Sequence, residues 1–291
     1  LDPHGDSLAP SLMLGEAASG AERTVVLPLL HGPMGEDGTV QGMLELDNVA
    51  YVGAGVLGSA VAMDKAMAKQ VLNAAGIPQA RYRAFAEHDI TPGLPAQLAA
   101  ELGLPCFVKP ANMGSSVGVS KAKTVEELRD AIAYALTYDE WIVVEEGITG
   151  REIEVAVIGN ADPFVSVPGE IIPGDEFYSY DDKYVNDASV GVVPAHLDAE
   201  QTRAVQQMAL DVYRSLRCEG LARCDFFYEM DDEGSGRGFL CNEVNTMPGF
   251  TPISMFPKML IASGMTYPEI IDRLVELAID RHARRRRNTK H

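Results

Sequence analysis

Two strand-like segments near the C-terminal end constrain this chain most: Arg-Cys-Asp-Phe-Phe at 223–227 and Glu-Val-Asn-Thr-Met-Pro-Gly-Phe at 243–250. Both are rich in aromatic or β-branched residues and flanked by turn formers. Between them, Asp-Asp-Glu-Gly-Ser-Gly at 231–236 has the composition of a hairpin turn. Side chains alternate across a strand, so Arg223 and Asp225 share one face, as do Glu243 and Asn245. Paired strands would gather a guanidinium, two carboxylates and an amide on one surface. Such a surface is costly to bury without counter-charge, and it suits hard divalent cations, which take oxygen ligands. The solvated face of an amphipathic hairpin has the same pattern, and the two segments alone do not choose between these readings.

The 291 residues allow two or three packed units. An apolar fraction of 46% and a charged fraction of 23% are those of a soluble globular protein. A net charge of -18 argues against a general binder of phosphate backbones, so no nucleic-acid partner is expected. A few local lysines can still hold one triphosphate. No apolar run approaches the ~20 residues of a membrane-spanning helix, so no membrane partner is expected either. The first residues, Leu-Asp-Pro-His-Gly-Asp, lack the pattern of a signal peptide; they also lack Met and read as the middle of a loop. Cys106, Cys218, Cys224 and Cys241 have spacings that fit no zinc or redox motif. They read as structural thiols, with a reduced cytoplasmic setting as the default. Four arginines at 284–287 read as a solvated, mobile tail.

Along the chain, residues 24–30 read as a buried strand, 40–46 as a helix and 51–53 as a short strand, the latter part of a parallel βαβ unit. A helix is expected over 59–75, stopped by Gly76 and Pro78. Strand-like pieces follow at 81–85 and 105–110. The turn Gly-Ser-Ser-Val-Gly at 114–118 leads to a strand at 119–121. Thr124 and Glu127 form a capping box ahead of a helix over 125–136. Residues 141–146 are a strand ending in acid, and 151–158 alternate cleanly as another. The stretch 169–196 has no regular period; its length and aromatic content predict an ordered lid. Asp198 and Gln201 cap a helix running to about 217, and Pro268 starts a terminal helix to about 282.

Several motifs carry chemistry only in combination. Lys109 on a strand precedes the glycine-flanked turn at 114–118, whose backbone N–H groups can approach phosphate oxygens closely. No Gly-Lys-Ser/Thr ends that turn, so it is not a P-loop, and an ordinary hairpin has the same composition. Lys65 alone reads as a solvated helical lysine. Glu145 and Glu146 alone read as a polar strand end, although a carboxylate there can accept hydrogen bonds from a ribose while backbone beside Ile148 reads an adenine.

The order of these elements resembles the ATP-grasp superfamily and, within it, the D-alanine–D-alanine ligases. The likeness rests on His-Gly-Pro-Met-Gly-Glu-Asp-Gly-Thr at 31–39, Met-Asp-Lys at 63–65, and Val-Lys-Pro with Gly-Ser-Ser-Val-Gly-Val-Ser at 108–120. Phe-Tyr and Lys-Tyr within 177–184, Gly-Leu-Ala-Arg-Cys-Asp-Phe at 220–226 and Glu-Val-Asn-Thr-Met-Pro-Gly-Phe-Thr at 243–251 complete it. Each motif is weak alone; jointly they are highly specific, over about 31–278. Nothing before Thr24 matches the Gly-rich opening loop of that family, whose Glu anchors the first D-alanine.

The resemblance implies an α/β (α+β) fold of the ATP-grasp type. An N-terminal parallel βαβ-type domain would span 1–55, a central ATP-grasp subdomain 56–144, and a C-terminal catalytic subdomain 145–291. It implies ATP and two magnesium (or manganese) ions as cofactors, D-alanine as substrate and a homodimer. Lys65 and Lys109 would hold the phosphates; Glu145, Glu146, Ile148 and Glu152 would hold adenine and ribose, with Phe177 and Lys183 closing from the lid. Asp225, Glu243 and Asn245 would bind the metal ions. Arg223 and the Gly249 N–H would stabilise an oxyanion. Ser115 and Tyr184 would link substrate to the closed loop, and His31, Ser254 and Met255 would line the D-alanine pockets. The implied reaction joins two D-alanines through an acyl phosphate for peptidoglycan synthesis. D-lactate or D-serine ligases of the same fold, and a non-catalytic nucleotide-binding relative, are the alternatives. In the resemblance, ligases that make the D-lactate ester lack the tyrosine at 184. Tyr184→Phe is therefore expected to raise the proportion of D-lactate ester at low pH in mixed-substrate product analysis; an unchanged ratio would refute that assignment.

Overall fold

A β-α-β crossover begins the structure, a computed structural model that describes residues 24–172, 190–230 and 235–285. Strand β1 (Val25–Val26), helix α1 (Thr39–Leu46) and strand β2 (Ala50–Tyr51) follow in turn, and the strands pair in parallel with Val25 opposite Ala50. The strand expected over 24–30 is cut to two residues. Pro28 cannot donate to a ladder, the amides of Leu29 and Leu30 turn back to Leu27 and Pro28, and both leucines are exposed.

Two helices, α2 (Val56–Met63) and α3 (Lys65–Ala74), replace the single helix expected over 59–75. Asp64 between them is extended, and its Oδ1 accepts the Met67 amide at 2.9 Å as an N-cap. Lys65 is thus the first residue of a helix, and its own amide bonds Ala111 O at 3.0 Å.

A four-stranded antiparallel sheet comes next. It contains β3 (Tyr82–Ala86), β4 (Cys106–Pro110), β5 (Ser120–Ala122) and β6 (Trp141–Glu146) in the order β3-β6-β4-β5. Helices α4 (Leu94–Leu102) and α5 (Val125–Ala135) cover one face, where Leu98, Leu128 and Ile132 meet Val108, Ile142 and Val144. Alternation sends Lys109 and Glu145 to the other face. The motif reading passes over α4, although Leu94, Leu98 and Leu102 recur every four residues and are buried. Thr124 caps α5 as expected, accepting the Glu127 amide at 3.1 Å, while the Glu127 carboxylate reaches the Lys123 amide at 2.7 Å. The reciprocal bond is therefore made one residue earlier than a strict capping box requires. Strand β6 covers residues 141–146, as expected.

The larger antiparallel sheet has the order β10-β9-β7-β11-β12, with β8 also on β7. Its strands and flanking helices are β7 (Arg151–Gly159), β8 (Phe164–Val165), β9 (Gly169–Ile172), β10 (Val190–Val192), α6 (Ala199–Ser215), β11 (Gly220–Glu229), β12 (Gly238–Asn245), α7 (Met255–Ala262) and α8 (Tyr267–Arg285). The aperiodic stretch over 169–196 therefore begins and ends in strands, Val190 standing opposite Ile172; ladders this short are too brief to show a period. Phe177, Lys183 and Tyr184, assigned to the lid, lie outside the described residues.

The two faces of this sheet differ. On one, Ile153, Val155, Val157, Cys224 and Phe226 pack on Val205, Ala209 and Val212 of α6. On the other, Ala156, Ile158 and Leu221 pack on Phe256, Met259 and Leu274 of α7 and α8. Further along the same face the alternating positions become Glu152, Glu154, Arg223 and Asp225. One strand face thus passes from apolar core to charged wall. Asp198 caps α6 as expected, accepting the Glu200 and Gln201 amides at 2.8 Å. Arg281 on α8 is buried, donates to Tyr51 O at 2.8 Å and stacks 3.9 Å above the Tyr51 ring, tying α8 to β2. Arg284 and Arg285, read as a solvated tail, are instead helical and paired with Glu219 at 3.1 and 3.0 Å. Asp280 and Glu45 also lie within their reach, and the tail reading is corrected at these two positions. The four cysteines are free and buried. Among the described residues, no helix is long and apolar enough to cross a membrane.

Gly220 opens β11 with φ of 76°, and a Cβ built there would lie 2.8 Å from the Gly53 nitrogen. Gly220→Ala is expected to lower unfolding free energy by about 1–3 kcal/mol from backbone strain alone. Urea unfolding measures it, and an unchanged midpoint would contradict the account.

Candidate active site

Between the two antiparallel sheets lies a cavity of about 380 Å³. Lys109, Glu145 and Glu146 reach it from the four-stranded sheet, Ile148 from the connection that follows, and Lys65 from the start of α3. Glu152, Arg223, Asp225 and Glu243 reach it from the large sheet. Nine of the residues singled out from sequence therefore line one space. A smaller adjoining cavity of about 30 Å³ shares Lys65 and Glu243 and adds Ser115 and Asn245. Gly249, His31, Ser254 and Met255 line neither. The His31 Nδ1 lies 2.9 Å from Met247 O, the Ser254 hydroxyl accepts the Thr251 amide at 3.1 Å, and Met255 is buried in the core with Phe256 and Met259.

Strands β11 and β12 pair as expected, although β12 ends at Asn245 and the expected strand over 243–250 stops there, and the register sets the charge pattern. Arg223 stands opposite Asn245 and Asp225 opposite Glu243, while on the other side Asp225 stands opposite Glu154 of β7. Three carboxylates thus stand abreast on adjacent strands, a repulsive arrangement unless neutralised. Arg223 supplies one countercharge. Its Nε and terminal nitrogen donate to the two Asp225 oxygens at 2.8 and 2.7 Å, and Nε lies 3.3 Å from Glu154. Burial pulls the guanidinium's pKa down, but Asp225 and Glu154 outweigh it and hold it well above its usual value. The Asn245 Nδ2 donates to Asp225 at 3.0 Å.

Across the cavity stand the lysines. Lys109 Nζ donates to Glu145 Oε2 at 3.0 Å and to Asn242 Oδ1 at 3.2 Å. Lys65 Nζ donates to Met113 O at 2.5 Å. Burial pulls the Lys65 pKa below the ordinary lysine value, partly offset by Glu243. Burial pushes the Glu145 carboxyl up, yet Lys109 and Lys69 more than compensate and leave it below the ordinary value. The turn beside them holds Ser115 and Ser116 at φ of 53° and 59°, left-handed conformations that non-glycine residues seldom adopt. Strain of this kind concentrates at functional sites.

The motif reading misses several participants. Glu154, six per cent exposed, completes the carboxylate row; the alternation of Glu152 and Glu154 on β7 is the signal that reveals it. Asn242 on β12 accepts a hydrogen bond from Lys109. Glu36 is buried and accepts the Gly32 amide at 2.7 Å. Glu146 is bound by Arg81 at 2.7 Å and by Arg237 at 2.5 Å, which joins the end of β6 to the start of β12. No sequence spacing relates residues 91 positions apart.

A cleft between two antiparallel sheets, with lysines on one wall and an arginine-braced carboxylate row on the other, defines the ATP-grasp class. Residues 71–276 match the family described as D-ala D-ala ligase C-terminus, and residues 3–54 match D-ala D-ala ligase N-terminus. The second match begins upstream of Thr24 and so extends the likeness beyond the motifs that start at His31. The D-alanine–D-alanine ligase of Geobacillus kaustophilus is 51% identical over 271 residues, covering 91% of this chain and 72% of that protein. The structure of the D-alanine-D-alanine ligase from Coxiella burnetii superposes with a TM-score of 0.79 at 42% identity, covering 89% of this chain and 69% of the other. The VanG D-Ala:D-Ser ligase from Enterococcus faecalis has a TM-score of 0.79 at 37% identity, covering 87% of this chain and 72% of the other. This chain belongs to the D-alanine–D-alanine ligase family.

Burial raises the Glu146 pKa, but bonds from Arg237 and Arg81 outweigh it and leave the group below its ordinary value. A depressed carboxyl stabilises the fold fully above the unfolded value of about 4.3 and loses that contribution as pH falls through the lower folded value. Glu146→Gln is expected to lower stability at neutral pH and to flatten the loss below about pH 4.3. Urea midpoints against pH test this; parallel curves for the two proteins would contradict it.

Proposed function

We infer that this chain is an ADP-forming ligase that joins two D-alanines into a dipeptide for peptidoglycan synthesis. The observation that carries the reading is the row of Glu154, Asp225 and Glu243, braced by Arg223 and facing Lys65 and Lys109 across one cavity. A carboxylate is a poor acyl donor until phosphorylated. In the proposed reaction a carboxylate oxygen of the first D-alanine attacks the γ-phosphorus and the bond to ADP breaks, leaving an acyl phosphate. The amine of the second D-alanine then attacks the carbonyl carbon. Phosphate departs, the amine gives up a proton, and the amide remains.

Lys65 and Lys109 hold the phosphates in this reading, and Glu145, Glu146, Ile148 and Glu152 surround adenine and ribose. Asp225, Glu243 and the Asn245 amide oxygen would supply the oxygen donors that a hard divalent ion takes. They would hold magnesium or manganese, two ions per site in this reading, and such ions would supply charge neutralisation at the transferring phosphate. Arg223 and the Gly249 amide meet the oxyanion; preorganised donors of this kind are commonly worth about 3–4 kcal/mol each. Ser115 and Tyr184 link substrate to the lid that carries Phe177 and Lys183. The lid keeps water from the acyl phosphate. His31, Ser254 and Met255 complete the D-alanine pockets.

The domain division at 1–55, 56–144 and 145–291, a homodimeric assembly and a cytoplasmic location belong to the same reading. Four free, buried thiols support a reducing compartment. The net charge of -18 supports small-molecule substrates over nucleic acid.

The decisive assay is ADP release with and without D-alanine, with the product identified by mass. D-alanine-dependent release with dipeptide formation is expected; nucleotide binding without it would favour a non-catalytic module. Glu243→Gln is expected to abolish turnover while the circular dichroism spectrum and unfolding midpoint stay within error of the parent. Parental activity at limiting magnesium would remove that carboxylate from the site.

A further inference from the structure

Lys69 lies one turn after Lys65 on α3, lines neither cavity and has no place in the reaction described above. Its side chain is only 3% exposed, and its Nζ lies 3.2 Å from Glu145 Oε1, itself 3% exposed. The other Glu145 oxygen receives Lys109 at 3.0 Å. The Lys69 ammonium and Glu145 Oε1 form a buried ion pair that helps hold the Glu145 pKa below its ordinary value. The Lys69 ammonium also lies 5.2 Å from the Tyr82 ring centroid, and Gln79 donates to the Lys69 carbonyl at 3.1 Å, which fixes this turn of α3 against the start of β3.

The two lysines on Glu145 are unequal. Lys109 is 13% exposed and opens on the cavity, whereas Lys69 is sealed behind the carboxylate. A buried carboxylate with one cationic partner is left uncompensated when that partner moves away, and this is strongly unfavourable. A carboxylate held by a second, immobile cation stays neutralised. Lys65, Tyr82 and Cys241 also feel the Glu145 charge from the surrounding elements, while the ion pairs to its two oxygens come from Lys69 and Lys109.

We propose that Lys69 is a positioning residue that keeps Glu145 charged and fixed, so that Lys109 can exchange that carboxylate for the phosphates of the nucleotide. This rests on the ATP-dependent reading above and assigns a role within its nucleotide subsite. Glu145 then presents a constant face to adenine and ribose whether or not Lys109 is engaged elsewhere. Lys69 itself touches no substrate.

The test compares steady-state kinetics of the parent, Lys69→Met, Lys69→Arg, Glu145→Gln and the Lys69→Met/Glu145→Gln double variant. Lys69→Met is expected to raise the KM for ATP at least tenfold while both D-alanine KM values stay within twofold. Lys69→Arg restores most of the loss. In the Glu145→Gln background, Lys69→Met changes the ATP KM less than twofold, because no buried charge is left to compensate. An ATP KM within twofold of the parent in Lys69→Met, or the same fold loss in both backgrounds, would overturn the proposal. Should Lys69→Met not fold, recovery of folding and nucleotide binding in the double variant supports it, and an equally unfolded double variant sinks it. Calorimetric binding of a non-hydrolysable ATP analogue with magnesium to the same variants separates the two readings. Absence of dipeptide in the parent defeats the ligase assignment, whereas equal analogue affinity with and without Lys69 defeats the role of Lys69.

Discussion

Everything in the site depends on holding three carboxylates side by side on adjacent strands at the edge of an apolar core. Glu154, Asp225 and Glu243 are placed abreast by the registers of β7, β11 and β12, and Arg223 is the cation built into the same face to hold them. Removing one partner of such a buried pair typically costs 3–5 kcal/mol, about as much as losing a large core side chain. A protein that carries this cost on a wall facing a cavity has concentrated negative charge where a cation-bound polyphosphate can be received. The opposing wall has the complementary arrangement, with Lys109 and Lys69 on a single glutamate.

The scaffold explains why those walls face one another. The large sheet is apolar on both faces near its far end, against α6 on one side and α7 with α8 on the other, and becomes charged only where helical cover ends. The smaller sheet is covered on one face alone, so Lys109 and Glu145 turn toward the gap. The Arg237–Glu146–Arg81 contacts bind the two sheets at one end of that gap. Arg281 ties the N-terminal crossover to the last helix through the carbonyls of Tyr51 and Gly53.

Much of this was legible in the sequence where side-chain period and turn chemistry agree. The 223–227 and 243–250 segments announce a hairpin with a shared polar face, and the registers of Arg223 with Asn245 and of Asp225 with Glu243 follow from it. The caps at Thr124 and Asp198 are local, and both helices start where those residues place them. What escaped depends on contacts distant along the chain or on elements too short to show a period. Lys69 reads as one more helical lysine until Glu145, 76 positions away, is brought against it; the two-residue and three-residue strands β8 and β10 carry no pattern of their own. The break at Asp64 was visible in principle, since Asp is a strong N-cap. The apolar positions on both sides of it suggested one helix instead.

The most direct measurement is a crystal structure of the protein with magnesium and a non-hydrolysable ATP analogue. The account predicts the triphosphate lying between Lys65 and Lys109 on one side and Asp225, Glu243 and Asn245 on the other, with cations on the oxygens of the latter group. A nucleotide bound elsewhere, with the carboxylate row still closed on Arg223 alone, would contradict it.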